Sequence, residues 1–316
     1  MRFGSDTVIA TVCLNPSIDH MLQVENFKYG GLNRVAGERF DAGGKGVNVA
    51  VALSALGLDA ECVAFMHRES ARTFEARLLK SGTTYEFVWL EGRTRTNLKV
   101  FDEAKGAVTE FNGSGRPVSD ADLRRMAQLV AERAEGADTL ILSGSLPPNC
   151  PEEYYAELIR AVDGLGCRVI LDADGAPLRH GIAAKPYLVK PNRHELEALA
   201  GRTLETREQV RDAARELIGR GVSVVAVSLG SGGAVIADRD EAWFAPALDV
   251  EVRSTVGAGD AMVAGLAAGL LMDAELERVF AMGVASASAM CMTEGTDALS
   301  RADYKRLLEA VRPERI

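Results

Sequence analysis

Apolar residues occur along this chain in short unbroken runs that alternate with amphipathic segments. The run Val8–Leu14 (VIATVCL) lacks polar alternation, which is typical of a strand covered on both faces in a parallel sheet. Further strands of this kind are predicted at Glu61–Phe65, Thr139–Leu142, Arg168–Asp172, Tyr187–Lys190, Val222–Ser228 and Gly233–Ala237. Helices are predicted between them at Gly46–Leu56, Phe74–Leu79, Asp120–Ala134, Pro151–Leu165, Arg193–Ala200, Arg207–Arg220, Ala258–Met272, Leu276–Met292 and Arg301–Val311. This alternation predicts a mostly parallel sheet between two layers of helices, a three-layer α/β/α fold.

Two stretches, about 20–40 and 85–111, depart from this alternation. They alternate polar and apolar positions, as in Thr96–Val100 and Val108–Phe111, which predicts antiparallel strands outside the main sheet. A decorated sheet edge and a lid over an active site both fit this pattern. Since no repeat or long linker interrupts the chain, residues 1–316 are predicted to form a single domain that carries these insertions.

Composition and charge exclude several classes of function. The formal net charge of −9 argues against a nucleic-acid partner and an anionic membrane surface, since both favour basic proteins. The five cysteines are scattered and never form a C-x-x-C pair, which predicts reduced thiols in the cytoplasm. The polar start Met1–Asp6 argues against a signal peptide, and the apolar stretch Ala261–Met272 is too short to span a bilayer.

The strongest candidate for chemistry is the loop Ser254–Asp260 (STVGAGD), which precedes an apolar helix. Its glycines permit a tight turn with outward N–H groups, and the helix start adds free N–H donors and partial positive charge. Together these features predict a site for phosphate or for negative charge that develops during a reaction. Asp260 is the candidate general base; the structural alternative is an acidic residue that merely complements the helix dipole.

Three weaker motifs accompany this loop. Asp41–Asn48 (DAGGKGVN) opens a helix, but its spacing is not that of a phosphate-binding Walker A loop. Asn192 and Glu195 have capping-box spacing, and Val227–Gly233 alone predicts only a hairpin turn. The first strand is not followed by G-x-G-x-x-G, which disfavours an NAD-dependent oxidoreductase.

In their order along essentially the whole chain, the motifs resemble those of the PfkB branch of the ribokinase-like sugar kinases. The resemblance is carried by Leu14–Asp19, Gly43–Asn48, Thr94–Asn97, Ser143–Pro148, Lys190–Asn192 with Glu195, Val227–Gly230 and Gly257–Asp260. It implies a ribokinase-like fold with a small antiparallel β lid, and ATP-dependent phosphorylation of a sugar. The substrate implied is a phosphorylated ketohexose: fructose 1-phosphate, phosphorylated on its 6-hydroxyl. The alternatives are tagatose 6-phosphate or the sugar of another PfkB-type kinase.

The resemblance also implies a role for each matching residue. Asp260 is expected to be the base, beside an anion hole formed by Gly257, Ala258 and Gly259. Sugar binding is expected from Asp19, Gly43, Gly44, Lys45, Asn48, Arg95, Asn97, Lys99 and Ser145, with Lys45, Arg95 and Lys99 on the phosphate. ATP binding is expected from Lys190, Asn192, Glu195, Ser228, Gly230, Gly233 and Gly295. Asn192 and Glu195 are further expected to organise Mg²⁺ and its waters.

The same resemblance implies a homodimer formed through the lid strands. A sugar-phosphate sensor without catalysis is the alternative from another class, and it is disfavoured because Asp260 and its glycine loop are intact. The segment Phe65–Ser70 departs from the family pattern, with His67 and Arg68 where paired glycines are expected. We interpret His67 as a surface loop residue.

Overall fold

The structure, a computed structural model, describes residues 8–295 and 297–316, so the expectation for Met1–Asp6 lies outside the described residues. The strands are β1 Val8–Cys13, β2 Ser17–Val24, β3 Gly37–Gly43, β4 Ala60–His67, β5 Thr84–Leu90, β6 Arg95–Asp102, β7 Ala107–Asn112, β8 Ala137–Ser143, β9 Arg168–Asp172, β10 Leu188–Val189, β11 Val224–Ser228, β12 Ala234–Ala237, β13 Ala242–Ala245 and β14 Glu314–Arg315. The helices are α1 Lys45–Leu56, α2 Ala71–Ser81, α3 Asp120–Ala134, α4 Tyr154–Ala161, α5 Gly175–Ala183, α6 Arg193–Ala200, α7 Arg207–Gly219, α8 Ala258–Leu271, α9 Leu276–Cys291 and α10 Arg301–Leu308.

A ten-stranded sheet forms the centre of the molecule, in the order β14-β13-β12-β11-β10-β9-β8-β1-β4-β5. The pairings from β5 to β11 are parallel, and β12, β13 and β14 extend one edge with antiparallel pairings. Successive residues of a central strand enter opposite layers: Leu140 and Leu142 contact one core cluster and Ile141 the other. The unbroken apolar runs therefore reflect burial on both faces, as predicted.

Helices cover the two faces of this sheet. On one face, buried side chains of α3, α4, α5, α6 and α7 pack against the sheet in one core cluster. On the other face, α8, α9 and α10, together with part of α1, supply most of a second cluster. The predicted three-layer α/β/α architecture is confirmed. Among the described residues, no helix is both long and apolar enough to cross a membrane.

A separate four-stranded sheet, in the order β3-β2-β6-β7, forms the lid. The β2–β3 and β6–β7 pairings are antiparallel, whereas β2 and β6 lie side by side in parallel. The boundary predicted for the second lid segment was wrong, because Thr84–Leu90 belongs to the main sheet beside β4. An edge strand with one covered face alternates polar and apolar residues just as a lid strand does, so the pattern did not separate the two.

Other differences are local. Helix α5, Gly175–Ala183, and the edge strands β13 and β14 were not predicted, since each is short and carries no clear periodicity. Helix α4 covers Tyr154–Ala161 only, which is shorter than predicted. The predicted N-cap Ser119 is confirmed, with its hydroxyl accepting the N–H of Asp122.

Candidate active site

A cleft of about 580 Å³ lies between the main sheet and the lid. Its floor is formed where parallel strands end, by Cys13 of β1, Ser143 of β8, Asp172 of β9 and Ser228 of β11, with Lys190 directly after β10. Ligands of open α/β sheets bind at this edge, outside the carboxyl ends of the strands. The cleft is therefore the candidate active site.

The lid covers the cleft with its polar face. Asp19, Asn97 and Asn112 are cross-strand partners on β2, β6 and β7, so their side chains lie in one row, and all three line the cleft. Lys99 and Glu110 also pair across β6 and β7, two residues from the Asn97–Asn112 pair, and they line the cleft as well. The alternation of polar and apolar residues in these strands thus belongs to a lid over the cleft, and not to a decorated edge of the main sheet.

Asp19 is held by three donors. It receives hydrogen bonds from Lys99 Nζ at 2.9 Å, Asn97 Nδ2 at 3.0 Å and Ser17 Oγ at 2.9 Å. A Cβ atom at Gly43 would lie only 3.0 Å from the Asp19 carboxyl carbon, so glycine leaves room for this carboxylate. The network fixes the orientation of Asp19 before any ligand binds.

Arg95 binds the loops that contain Asn15, Gly113 and Ser145 at one end of the cleft. Its guanidinium donates to the carbonyls of Asn15 and Gly113, both at 2.8 Å, and to Ser145 Oγ at 3.3 Å. Asn15 in turn donates from Nδ2 to Ser145 Oγ at 3.3 Å and to the carbonyl of Leu146 at 3.2 Å. These contacts place a cation and a hydroxyl together at this end of the cleft.

Asp260 lies in the first turn of α8 and is only 6% exposed. Gly257, in the left-handed conformation at φ 80°, turns the chain into the helix, where early N–H groups such as that of Gly259 lack a partner within the helix. Asn48 Nδ2 donates to Asp260 Oδ2 at 2.8 Å. Burial and repulsion from Asp172 raise the pKa of Asp260 to about 6, although Lys45 and Asn48 oppose this shift.

Asp172, only 1% exposed, lies between two lysines. Lys45 Nζ is 3.2 Å and Lys190 Nζ 3.4 Å from its Oδ1 atom. Burial disfavours the charged carboxylate, but Lys190 and Lys45 together hold the pKa of Asp172 below its ordinary value. Conversely, burial disfavours a charged Lys45, but Asp172, Asp260 and Glu195 raise its pKa above the ordinary value. A buried ion-paired cluster of Asp172, Lys45 and Lys190 thus stands beside Asp260.

Asn192 and Glu195 form the predicted capping box at the start of α6. The Asn192 N–H donates to Glu195 Oε2 at 2.8 Å, and the Glu195 N–H donates to Asn192 Oδ1 at 2.9 Å. Both residues also line the cleft. In the described part of the chain, no group of three or more His, Cys, Asp or Glu residues is arranged to hold a metal ion directly.

Most of the predicted site residues meet in this one cleft. Its lining includes Asp19, Gly44, Lys45, Asn48, Arg95, Asn97, Lys99, Ser145, Lys190, Asn192, Glu195, Ser228, Gly257, Gly259 and Asp260. Gly43, Ala258, Gly230, Gly233 and Gly295 lie outside the lining. Ala258 donates its N–H to the carbonyl of Thr255 at 3.3 Å. A Cβ atom at Gly295 would overlap the guanidinium of Arg39 on the lid.

Sequence reasoning missed several residues of the site. Asp172 carried a usable signal, since a charged residue ends a buried strand there. Asn15 lies within the Leu14–Asp19 motif, in which only Asp19 was assigned a role. Asn112 lies in a segment with no functional pattern, and Arg77 stands on α2 among other charged residues. The surface interpretation of His67 was wrong: it is 6% exposed because it ends β4 within the main sheet.

The geometry places a buried carboxylate at a helix N-terminus, beside two lysines and beneath a polar lid, which suits phosphoryl transfer. The model for the pfkB family carbohydrate kinases matches residues 12–302. The chain belongs to this family. This membership confirms the sugar-kinase prediction, makes ATP a substrate and excludes the oxidoreductase alternative.

Similar proteins agree with this assignment. The chain is 41% identical over 293 residues to the 1-phosphofructokinase of Xanthomonas campestris pv. campestris, an alignment that covers 91% of this chain and 92% of that protein. It is 44% identical over 282 residues to the 1-phosphofructokinase of Rhodobacter capsulatus, with 87% and 89% covered. The structure of phosphofructokinase-2 from Escherichia coli in complex with substrates and products superposes with a TM-score of 0.89 at 33% identity, over 96% of this chain and 98% of that one. The ribokinase-like fold is confirmed.

Proposed function

We propose that the chain transfers the γ-phosphoryl group of ATP to the 6-hydroxyl of fructose 1-phosphate, which yields fructose 1,6-bisphosphate and ADP. The observation that carries this proposal is the set of relatives named 1-phosphofructokinase, 33% to 44% identical over most of the chain. The cleft supports it, because a ketohexose with one phosphorylated arm needs a cation at one end and a base at the other.

Asp260 is the proposed general base. With a pKa near 6 it is an anion at neutral pH, yet basic enough to accept a hydroxyl proton. As the 6-oxygen forms its bond to the γ-phosphorus, its proton passes to Asp260 and the bond to the β,γ-bridging oxygen breaks. The N–H groups of Gly257 and Gly259, with Ala258 at the helix start, are proposed to stabilise the charge on the transferred group.

The cations are proposed to divide between the two ends of the cleft. Lys45 forms an ion pair with Asp172 and is also attracted by the charge of Asp260. We therefore assign Lys45 to the transferred phosphoryl group and not to the phosphate already on the sugar. Arg95, beside Ser145, is assigned to that sugar phosphate, together with Lys99. Asp19 is proposed to bind ring hydroxyls, with Asn97, Gly43 and Gly44 beside it.

Mg²⁺ fits the chemistry of the cleft. Six carboxylates line it and would repel an uncompensated polyphosphate: those of Asp19, Glu110, Asp172, Asp174, Glu195 and Asp260. Mg²⁺ usually keeps several waters and uses few carboxylates together with substrate phosphates, which matches the lack of a direct multi-ligand site among described residues. We therefore propose Asn192 and Glu195 as its water-mediated ligands. Bound Mg²⁺ would neutralise charge on the β- and γ-phosphates.

The ATP end of the cleft is proposed to lie over the turn between β11 and β12. Ser228 ends β11, lines the cleft and forms a bridge with Asn192. Gly230 and Gly233 bound a short 3₁₀ turn next to it, and Lys190 lies at the adjacent strand end. Gly295, which adjoins the lid, remains a predicted ATP contact.

A homodimer through the lids is also proposed. Phe40, His20, Leu98 and Phe111 are cross-strand partners one position away from the polar row, so they lie on the opposite face of the lid. Phe40 and Phe111 are 54% and 55% exposed. Two such faces would cover each other's apolar surface.

A cytoplasmic location remains part of the proposal, supported by five cysteines that are all free thiols.

A comparison of substrates tests the proposal. The kcat/KM values for fructose 1-phosphate, tagatose 6-phosphate and fructose 6-phosphate should be measured with ATP and Mg²⁺, and fructose 1-phosphate should give the highest. A higher value for either other sugar would overturn the substrate assignment.

Asp260→Asn, which keeps the shape of the side chain, should lower turnover by about 10²–10⁴-fold. Turnover above half of the wild-type rate would remove Asp260 from the role of base.

A further inference from the structure

Arg77 of α2 reaches the amide that holds Asp260. Arg77 Nη1 donates to Asn48 Oδ1 at 2.8 Å and also to the backbone carbonyl of Ala42. The other end of the same amide, Asn48 Nδ2, donates to Asp260 Oδ2 at 2.8 Å. A continuous chain of hydrogen bonds therefore runs from α2 through α1 to the first turn of α8.

The direction of these hydrogen bonds follows from the chemistry of arginine. A guanidinium has donors only, so the atom of Asn48 that faces Arg77 must be the oxygen. The amide nitrogen is then obliged to face Asp260, where it donates to the carboxylate. Without Arg77 the amide could rotate by 180°, and its oxygen would then face the carboxylate with like partial charge.

We propose that Arg77 is a positioning residue, which fixes the Asn48 amide so that it holds the Asp260 carboxylate in place and in its charged form. This inference rests on the proposed function of Asp260 as the base. It also revises the role of Asn48, which was expected to bind the sugar: its oxygen already accepts from Arg77 and one of its N–H groups already donates to Asp260, so most of its orientation is set within the protein.

Other charged groups also act on Asp260. Lys45 of α1 and Lys190 after β10 stabilise its carboxylate, and Asp172 at the end of β9 opposes it. Arg77 adds a positive charge from α2, which faces Asp41 and Asp19 as well as Asp260 and favours the Asp260 anion in the same direction as the lysines. The lysines lie where the phosphoryl group is proposed to bind, whereas Arg77 acts from the side of α2. Its contribution can therefore be removed without removing those lysines.

The experiment compares Arg77→Met with Arg72→Met, an exposed arginine on the same helix. Arg77→Met should lower kcat by about 10- to 100-fold, because the base is no longer held in place. It should also move the acidic limb of the kcat–pH profile upward by roughly one pH unit, since a cation and an oriented N–H are lost. Arg72→Met should leave both unchanged. Arg77→Lys, which keeps the charge on a single donor nitrogen, should fall between Arg77→Met and wild type.

A double-mutant cycle with Asn48→Leu tests whether Arg77 acts through Asn48. The effects of Arg77→Met and Asn48→Leu on kcat should be far from additive. Additive effects, or an acidic limb that stays in place in Arg77→Met, would overturn the inference. If Arg77→Met does not fold, the same readings apply to Arg77→Lys. If Asp260→Asn is inactive and the acidic limb of the kcat–pH profile does not move in Arg77→Met, only the role of Arg77 is rejected. If Asp260→Asn is active, Asp260 is not the base.

Discussion

At the scale of single residues, Asp260 affects stability as well as the proposed proton transfer. Burial and Asp172 raise its pKa from 3.8 to about 6, so the folded state binds the proton more tightly than the unfolded state. Below about pH 4 both states are protonated and the folded state bears no penalty. As the pH rises from about 4 to about 6, where only the unfolded state ionises, the folded protein loses roughly 3 kcal/mol of stability, at about 1.4 kcal/mol per pKa unit.

Asp260→Asn should therefore be more stable than the wild type at neutral pH. The asparagine cannot ionise, and its Oδ1 can still accept the hydrogen bond from Asn48. The gain in free energy of unfolding should be present at pH 7 and absent at pH 4. Urea unfolding of both proteins at these two pH values measures it; a gain of equal size at both would show that ionisation is not its cause.

Arg95 and Lys45 should affect different kinetic constants. Arg95→Met should raise the KM for fructose 1-phosphate, since a charge-assisted hydrogen bond contributes roughly 1.5–3 kcal/mol. Lys45→Met should instead lower kcat, because Lys45 stands beside Asp172 and Asp260. Steady-state kinetics with each substrate varied in turn tests this division. Equal losses of affinity for ATP and sugar in Arg95→Met would place the guanidinium elsewhere.

Residues in short glycine-rich motifs could be predicted from the sequence, and residues that act through packing could not. Gly257–Asp260 predict a helix start with an anion site because those features are local in the chain. The contact of Arg77 with Asn48 depends on how α2 packs against α1, which no local pattern encodes. The capping box at Asn192 was predictable for the same local reason, whereas the pairing of Asp172 with two lysines required the strand order.

At the scale of elements, α8 must approach α9 very closely to present Asp260. A Cβ atom at Gly265 would lie 2.4 Å from the carbonyl oxygen of Met282, a backbone atom that cannot move away cheaply. Gly269 and Gly283 have similarly close neighbours across the same helix pair. Glycine at these positions thus sets the separation of two buried helices.

Gly265→Ala should lower the free energy of unfolding by about 1–3 kcal/mol through overpacking. Gly219→Ala is the matched control, since this glycine ends α7 and has no atom within 4 Å of an added Cβ. The control should be neutral or slightly stabilising, as alanine is the better helix former. Chemical denaturation of both variants measures the contrast, and similar values for the two would refute the packing argument.

Element types were predictable wherever burial imposed a clear period. The apolar runs of β1, β8 and β11 lie between two helical layers, as their composition indicated. Strand β5 was assigned to the lid because an edge strand and a lid strand share the same alternation. Which neighbour covers the apolar side of such a strand depends on contacts distant in sequence.

At the scale of the whole molecule, the outer face of the lid is expected to join two copies. Phe111→Glu places a charge in the exposed apolar row and should convert the proposed dimer to a monomer, since a buried unpaired charge is costly at an interface. Leu79→Glu, at a 67% exposed leucine on α2, is the control and should leave the assembly unchanged. Sedimentation velocity measures the oligomeric state of the wild type, Phe111→Glu and Leu79→Glu. A monomeric wild type would refute the lid interface.

The parallel pairing of β2 with β6 has a consequence for the order of folding. Each lid hairpin can form from neighbouring residues, but their junction brings together positions such as Asp19 and Asn97, which are 78 residues apart. Closing so long a loop is favourable only after β1, β4 and β5 have already met in the main sheet. The lid should therefore be the last part to assemble and the first to open, which places the cover of the cleft in the least stable cooperative unit of the protein.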